Sequence, residues 1–251
     1  MDGLLVRVLP YMMLLGRVSA FVAVLPIFSW QVVPMIVRAG IAVLMTVFFG
    51  YILPLPQAGA AQGHWLAASV LVVGEIVIGL ALGLAVNFVF QAVQQGGHMI
   101  VQQMGLAESG IIDPTTGEET ETMAVFMETT FILLFLGANG HHLLLRVLGR
   151  SYQVFPLGGA PDAAALASGL VASGSMMLLL ALKLAAPALA AFLVLAVVLA
   201  IVARVLPDMN VLMESFPLRV GLGLFMAAAL VPSLVDLVDE MTTWMSRHLM
   251  A

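Results

Sequence analysis

Long apolar runs separated by short polar breaks dominate this chain. The runs predict six helices, at about 4–28, 37–54, 64–104, 122–150, 164–206 and 211–246. Three of these helices, at 64–104, 164–206 and 211–246, are more than 30 residues long, well beyond the roughly 20 that one bilayer crossing requires. The most apolar stretch, 184–203, contains no polar side chain, so it would enter a membrane without help from its neighbours. The pattern therefore predicts an all-α integral membrane protein of about six long, partly broken helices that form hairpins.

Proline and glycine mark the breaks between the apolar runs. They are concentrated at 26–34, 54–63, 156–161 and 207–210, where they favour turns over continued helix. The break at 207–210 is short, so we expect the last two helices to form an antiparallel hairpin. No long polar run divides the chain, and we expect residues 1–251 to form a single membrane domain.

Composition excludes a water-soluble domain. Hydrophobic residues make up 62% of the chain and charged residues 9%, whereas soluble domains carry about 25% charged residues. Cysteine is absent, which excludes disulfides, thiolate metal sites and a cysteine nucleophile. No basic tract suited to nucleic acid occurs. Lys and Arg are scattered over several helix ends, so their distribution does not orient the protein in the membrane.

The segment 102–121 interrupts two long predicted helices and is rich in acids. Six of the fourteen carboxylates lie between Glu108 and Glu128, and no Lys or Arg occurs between Ala39 and Leu145. Unpaired carboxylates require water, so we expect this segment at a surface or in a channel. Its first half is apolar enough to fold back and fill a constriction. The alternative is an acidic surface loop.

Glu75 lies inside an apolar run, where an ionised side chain is unfavourable by about 2.5 to 3.5 kcal/mol at mid-membrane. It therefore needs a partner or a proton. We expect an intramembrane polar contact with another subunit, because the helical spacing provides no second ionisable group for a proton relay. Gly79 and Gly83 follow at four-residue spacing, which predicts close helix packing and leaves a site-specific role as the alternative.

Candidate chemistry is sparse elsewhere. His141 and His142 are adjacent, so on a helix they would point about 100° apart, and no carboxylate completes a metal site there. The nucleophile, zinc-protease and phosphate-loop motifs do not occur. We therefore predict no catalytic residue, no cofactor and no enzyme activity. Seventeen methionines are typical of gap-filling in a core, but Met104 is also a candidate for sealing a channel.

The order of several short motifs is more specific than any one of them. They are Glu75-x-x-x-Gly79-x-x-x-Gly83, Gln103-Met104-Gly105, Asp113-Pro114, Asn139-Gly140-His141-His142, Phe155-Pro156-Leu157-Gly158, Arg204-Val205-Leu206-Pro207-Asp208-Met209-Asn210 and Phe216-Pro217-Leu218. In this order the chain resembles the type III secretion export-gate family to which the flagellar FliR proteins belong. The resemblance covers nearly the whole chain.

The resemblance implies a structural and gating subunit without enzymatic activity. It would assemble with FliP and FliQ, and with FlhB as a further partner, into a helical export gate in the bacterial inner membrane at the flagellar basal body. Unfolded flagellar proteins would pass through this hetero-oligomer, and membrane lipid would surround it. Residues 1–160 would be FliP-like, and residues 161–251 would form a FliQ-like hairpin.

The resemblance also places a plug loop at about 105–122 that closes the resting channel. The residues assigned to this plug or gate are Met104, Gly105, Leu106, Gly110, Ile111, Ile112, Asp113 and Pro114. Two alternatives stay open: the equivalent gate subunit of a virulence injectisome, and a secondary transporter, which Glu75 and the interrupted helix near Gly105 would suit. An intramembrane hydrolase would need a Ser/His or paired-Asp site that the sequence does not provide.

Overall fold

Eight α-helices make up the described part of the chain. The computed structural model describes residues 2–29, 33–53, 65–105, 122–160, 162–206 and 211–248. The helices are α1 (Asp2–Val24), α2 (Pro26–Ser29), α3 (Met35–Ile52), α4 (Trp65–Met104), α5 (Thr122–Gly137), α6 (Gly140–Val154), α7 (Ala163–Val205) and α8 (Val211–His248).

Two of the six predicted helices are each two helices in the structure. The prediction at 4–28 is wrong in its continuity: α1 ends at Val24 and α2 begins at Pro26, because the residue before a proline is disfavoured in the helical region. The prediction of one continuous helix at 122–150 is also wrong, because this range contains α5 and α6. Asn139 adopts a left-handed conformation with φ 59°, so α5 ends at Gly137 and α6 begins at Gly140.

The class of the fold is confirmed as an all-α membrane protein. Within the residues that the structure describes, four helical segments are long and apolar enough to cross a membrane: Met35–Ile52, Trp65–Met104, Ala163–Val205 and Ser215–Met245. The bent α5–α6 pair gives a fifth if it is counted as one span. On α3 the side chains of Ile36 and Tyr51 are 85% and 93% exposed. Such apolar surface requires lipid or another protein as its neighbour.

The chain divides into two compact units. Unit 1 comprises Met1–Phe88, Asn139–Gly174 and Thr242–Ala251, and unit 2 comprises Val89–Ala138 and Ser175–Met241. Both units draw residues from either side of residue 160, and α4, α7 and α8 each contribute to both. The predicted division into 1–160 and 161–251 stays a prediction about family likeness.

In unit 1, α1 and α4 lie side by side with their backbones in close contact. A Cβ added at Gly79 would overlap the carbonyl oxygen of Arg17, and one added at Gly83 would lie 3.1 Å from the carbonyl oxygen of Phe21. The contacts advance in the same direction along both helices, so the two helices run parallel. Glycine at both positions permits this approach. In a membrane, where the hydrophobic effect does not draw helices together, such close packing drives helix association.

The C-terminal end of α1 is capped from α4. The side-chain amide of Asn87 donates from Nδ2 to the carbonyl oxygen of Val24 at 3.2 Å. The last carbonyls of a helix have no partner within it, and Pro26 has no N–H that could serve this purpose. Asn87 therefore satisfies one of the groups that the proline break leaves without a partner.

In unit 2, α7 and α8 form an antiparallel hairpin. The Nζ atom of Lys183 lies 2.5 Å from Oε1 of Glu240. About 33 Å of helix separates Lys183 from the end of α7, whereas the residues between the two helices can span only about 20 Å. The chain in α8 must therefore return along α7 for this ion pair to form.

An aromatic cluster joins α4 and α5 in unit 2. The ring centroid of Phe90 lies 4.9 Å from that of Phe135 and 5.7 Å from that of Phe131, both in edge-on geometry. All three side chains are buried. Edge-on aromatic pairs add about 0.5 to 1.5 kcal/mol beyond the burial of their area, so this cluster is a specific contact between the two helices.

We expect Gly79→Ala to destabilise the protein by about 1 to 3 kcal/mol, because the added methyl group would push α1 away from α4. Thermal unfolding of the purified protein in detergent measures this change. The control is Gly40→Ala on α3, where a Cβ would meet nothing within 4 Å. Equal melting temperatures for the two variants would contradict the close approach.

Candidate functional site

A buried ion pair joins α1 and α4 in unit 1. Arg17 donates from Nε to Oε2 of Glu75 at 2.6 Å, and the two side chains are 0% and 1% exposed. Two charges removed from water in this way are stable only if their geometry is good and their other polar atoms are also bonded.

The remaining donors of Arg17 are directed at the end of α6. Nη2 donates to the carbonyl oxygen of Phe155 at 2.9 Å, and Nη1 lies 3.3 Å from the hydroxyl oxygen of Ser151. The guanidinium carbon stands 4.4 Å from the ring centroid of Tyr152, which is a cation–π contact. The planar guanidinium group thereby connects α1 with both α4 and α6.

The second carboxylate oxygen of Glu75 binds the loop after α6. Gly158 donates its backbone N–H to Oε1 of Glu75 at 2.9 Å. Gly158 has φ +76°, a conformation that glycine adopts without steric cost and most other residues avoid. Glycine at this position therefore allows the backbone to present its N–H to the carboxylate.

These contacts form one network, which we call the Arg17–Glu75 cluster: Arg17, Glu75, Ser151, Tyr152, Phe155 and Gly158. It fixes α1, α4, the end of α6 and the following loop at a single point. Removal of one partner from a buried pair typically destabilises a protein by about 3 to 5 kcal/mol, because the other charge is left uncompensated. The cluster is therefore a strong constraint on the packing of unit 1.

The polar contact of Glu75 is made within the chain. The sequence predicts a partner in another subunit, but Arg17 and Gly158 of the same chain bind both carboxylate oxygens. Arg17 lies on α1, so the spacing of residues along α4 does not point to it. The motif Phe155–Gly158 already marked the loop that completes the cluster.

Of the predicted gate residues, the structure describes Met104 and Gly105. Met104 is the last residue of α4 and is 1% exposed. Its side chain fills the space above Gly223 on α8, since a Cβ at that glycine would overlap the Cγ and Sδ atoms of Met104. Gly105 has φ +76°, which ends α4. The gate residues outside the described part of the chain are Leu106, Gly110, Ile111, Ile112, Asp113 and Pro114.

The histidine pair lies at the start of α6. His141 and His142 are exposed, and their ring centroids are 4.3 Å apart. Within the residues that the structure describes, no group of three or more His, Asp or Glu side chains could hold a metal ion. Both histidines lie in the first turn of α6, directly after Asn139.

Comparison with known sequences places these features in a family. The family model described as bacterial export proteins, family 1, matches residues 8–245. The flagellar biosynthetic protein FliR of Escherichia coli (strain K12) is 32% identical over 227 residues, which cover 90% of this chain and 85% of that protein. FliR of Bacillus subtilis (strain 168) is 30% identical over 222 residues, covering 86% and 83%.

A relative with a different printed role is also similar. The Yop proteins translocation protein T of Yersinia pestis is 26% identical over 215 residues, which cover 84% of this chain and 81% of that protein. The similarity to both kinds of relative extends over most of the chain, so it includes residues of both units.

We expect Glu75→Leu to lower the free energy of unfolding by about 3 to 5 kcal/mol, because it leaves the Arg17 guanidinium buried without a counter-charge. Glu75→Gln retains an acceptor for Gly158 and should lower it less. Thermal unfolding in detergent ranks the variants. As a control, Lys183→Ala breaks an exposed pair, which is worth about 0 to 1 kcal/mol. A loss for Glu75→Leu as small as that of the control would refute the importance of the cluster.

Gly223→Ala should destabilise unit 2, because the new methyl group occupies the space of the Met104 side chain. Met104→Ala alone should also destabilise it by leaving a cavity, whereas the double variant should be more stable than the sum of both effects predicts. Gly221→Ala is the matched control, since a Cβ there meets nothing within 4 Å. Purely additive melting temperatures would disprove the contact.

Proposed function

The chain belongs to the bacterial export proteins, family 1, and from this membership we propose that it is a structural and gating subunit of the flagellar type III protein export gate. The observation that carries the proposal is similarity to flagellar FliR proteins at 30% and 32% identity over most of the chain. An all-α membrane fold suits a subunit of a channel, because helices satisfy their own backbone hydrogen bonds in an apolar surrounding.

Assembly with FliP and FliQ, and contact with FlhB, are part of the proposal. Its physical support is the apolar surface that the chain leaves uncovered. On α7, Leu193 and Val194 are 67% and 63% exposed, and on α8 Phe225 is 68% exposed. Surfaces of this kind are satisfied either by lipid or by apolar helices of other subunits. We place the complex in the bacterial inner membrane, at the flagellar basal body.

The chemistry of the described residues supports a non-enzymatic role. The side chains of Arg17 and Glu75 are buried and both carboxylate oxygens of Glu75 are bonded, so this carboxylate has no free oxygen to present to a substrate. A catalytic carboxylate would need such access to the proton or atom that it acts on. We therefore assign the cluster to folding and to the positioning of helices.

Gating is proposed for the segment that follows α4. Met104 is held against Gly223 in unit 2, and Gly105 turns the chain out of the helix. We propose that the residues from Gly105 to Pro114 close the resting channel, with Met104 as a fixed point at their start. Glycine and small apolar side chains can pack densely across a narrow passage, which is the requirement for a seal.

The equivalent subunit of a virulence injectisome is the second candidate function. The similarity to the Yop proteins translocation protein T favours it, at 26% identity. The flagellar assignment is preferred because the FliR proteins of Escherichia coli and Bacillus subtilis are more similar, at 32% and 30%.

The chain is expressed together with FliP and FliQ, and it alone carries an affinity tag. The proposal predicts that it then purifies as a stable complex with both partners. It should also restore flagellin secretion in cells that lack the chain. The matched control for assembly is Glu75→Leu, which should reduce the yield of complex more than Lys183→Ala. Secretion restored without either partner, or substrate flux by the isolated chain in liposomes, would instead favour a transporter.

The same preparation tests the gate. Removal of residues 105–112 should leave the yield of complex unchanged but raise its ion conductance in planar bilayers, because the constriction loses its filling. Unchanged conductance in a fully assembled complex would reject the assignment of the gate and leave the assignment of the subunit intact.

A further inference from the structure

The second half of α4 has two chemically distinct faces. One face is buried in unit 2 and consists of apolar residues, among them Ala92, Val93, Ile100, Val101 and Met104. The opposite face is half-buried to exposed and consists of neutral polar residues: Gln91, Gln94, Gln95, His98 and Gln102. We call this second face the glutamine stripe.

Helix geometry confirms that these residues form a continuous surface. Each residue advances an α-helix by about 100° and 1.5 Å, so the five side chains of the stripe lie within an arc of about 100° and along about 17 Å of the axis. The exposed large side chains earlier in α4 are of another kind. Val70, Val73, Val77, Leu80 and Leu84 are all apolar and 38% to 71% exposed.

This change indicates a change of surroundings along α4. Exposed valine and leucine side chains are suited to lipid or to apolar helices, whereas primary amides need hydrogen-bonding partners or water. Four glutamines along one face would be unfavourable against hydrocarbon. From Gln91 onward, the partly exposed side of α4 is therefore suited to water or to another polar molecule.

The stripe is polar but carries no fixed charge. The chain has no Lys or Arg between Ala39 and Leu145. The segment from Gln91 to Met104 also contains no Asp or Glu. A glutamine amide both donates and accepts hydrogen bonds. An unfolded polypeptide presents N–H and C=O groups at every non-proline residue, so this surface can bond to it whatever its sequence.

The position of the stripe connects it with the proposed gate. Gln102 lies at its end, and the next residues include Met104 and Gly105, where α4 stops. The stripe therefore ends next to the residues that are proposed to form the gate.

We propose that the glutamine stripe lines the export conduit and makes transient hydrogen bonds to the backbone of the polypeptide in transit. The inference rests on the proposed function and adds the surface and the chemistry of substrate contact. A neutral amide surface offers weak contacts that water can replace, so a chain of either charge would move along it without being retained.

Cysteine cross-linking in the assembled complex tests this inference, and because the chain has no native cysteine, every disulfide that it forms comes from the introduced residue. The probe is an export substrate fused to a tightly folded domain, which stalls in the channel, with single cysteines in its unfolded part. Gln95→Cys and Gln102→Cys should form disulfides with this substrate. The control Leu84→Cys lies on the same helix, is 39% exposed in the structure, and should not.

Disulfides from the stripe to single cysteines introduced into FliP or FliQ, with none to the stalled substrate, would overturn the inference in favour of a contact between subunits. The wild-type chain separates this failure from that of the proposed function. If it supports secretion while the stripe does not cross-link to substrate, only the stripe is wrongly assigned. If it does not support secretion, the proposed function fails.

Charge placed on the stripe gives a second readout that a purely structural role would not produce. Gln95→Lys should slow secretion of a substrate with a basic unfolded segment and spare one with an acidic segment, and Gln95→Glu should do the reverse, because like charges repel. An equal loss for both substrates in both variants would contradict contact with the polypeptide.

Discussion

The buried ion pair between Arg17 and Glu75 is the constraint around which unit 1 is built. A carboxylate within an apolar helix is strongly unfavourable unless a cation reaches it. The requirement brings together residues that are 58 positions apart in the chain, and the other donors of Arg17 bring the end of α6 to the same point. The glycines of α4 permit the approach, because a larger residue at position 79 would hold the two helices too far apart.

Unit 2 is held by different forces. Its described core includes the edge-on contacts of the Phe90 ring with Phe131 and Phe135, the Met104 side chain packed against Gly223, and small residues where long helices meet. The Lys183–Glu240 pair is exposed on both sides and contributes little to stability. Among the described residues of unit 2, no charged side chain is fully buried, which suits a unit that contains the proposed gate, since no such charge has to be uncovered when neighbouring helices shift. The neutral glutamine stripe belongs to the same unit and gives it a surface that water can wet.

Much of the fold could be predicted from the pattern of apolar residues. The predicted helix at 64–104 corresponds to α4, and the hairpin of the last two helices is present, because long apolar runs bounded by proline and glycine leave few alternatives. The breaks at Leu25 and Asn139 could not be predicted in this way, since a short interruption inside a long apolar run leaves the hydrophobic pattern unchanged. The sequence shows Glu75 as a charged residue within an apolar run, but it does not show that Arg17 is its partner. Arg17 lies on another helix, and the sequence alone does not show which helices are neighbours. Gly223 gave no signal, because only the structure shows the Met104 side chain above it.

The double variant Arg17→Met with Glu75→Leu tests the account most directly. Each single substitution strands a buried charge, whereas the double substitution removes both charges and fills the space with apolar atoms. The account predicts that the double variant is more stable in thermal unfolding than either single variant, and that it still assembles. A double variant whose loss of stability equals the sum of the two single losses would show that Arg17 and Glu75 act independently, and would contradict the central role of their contact.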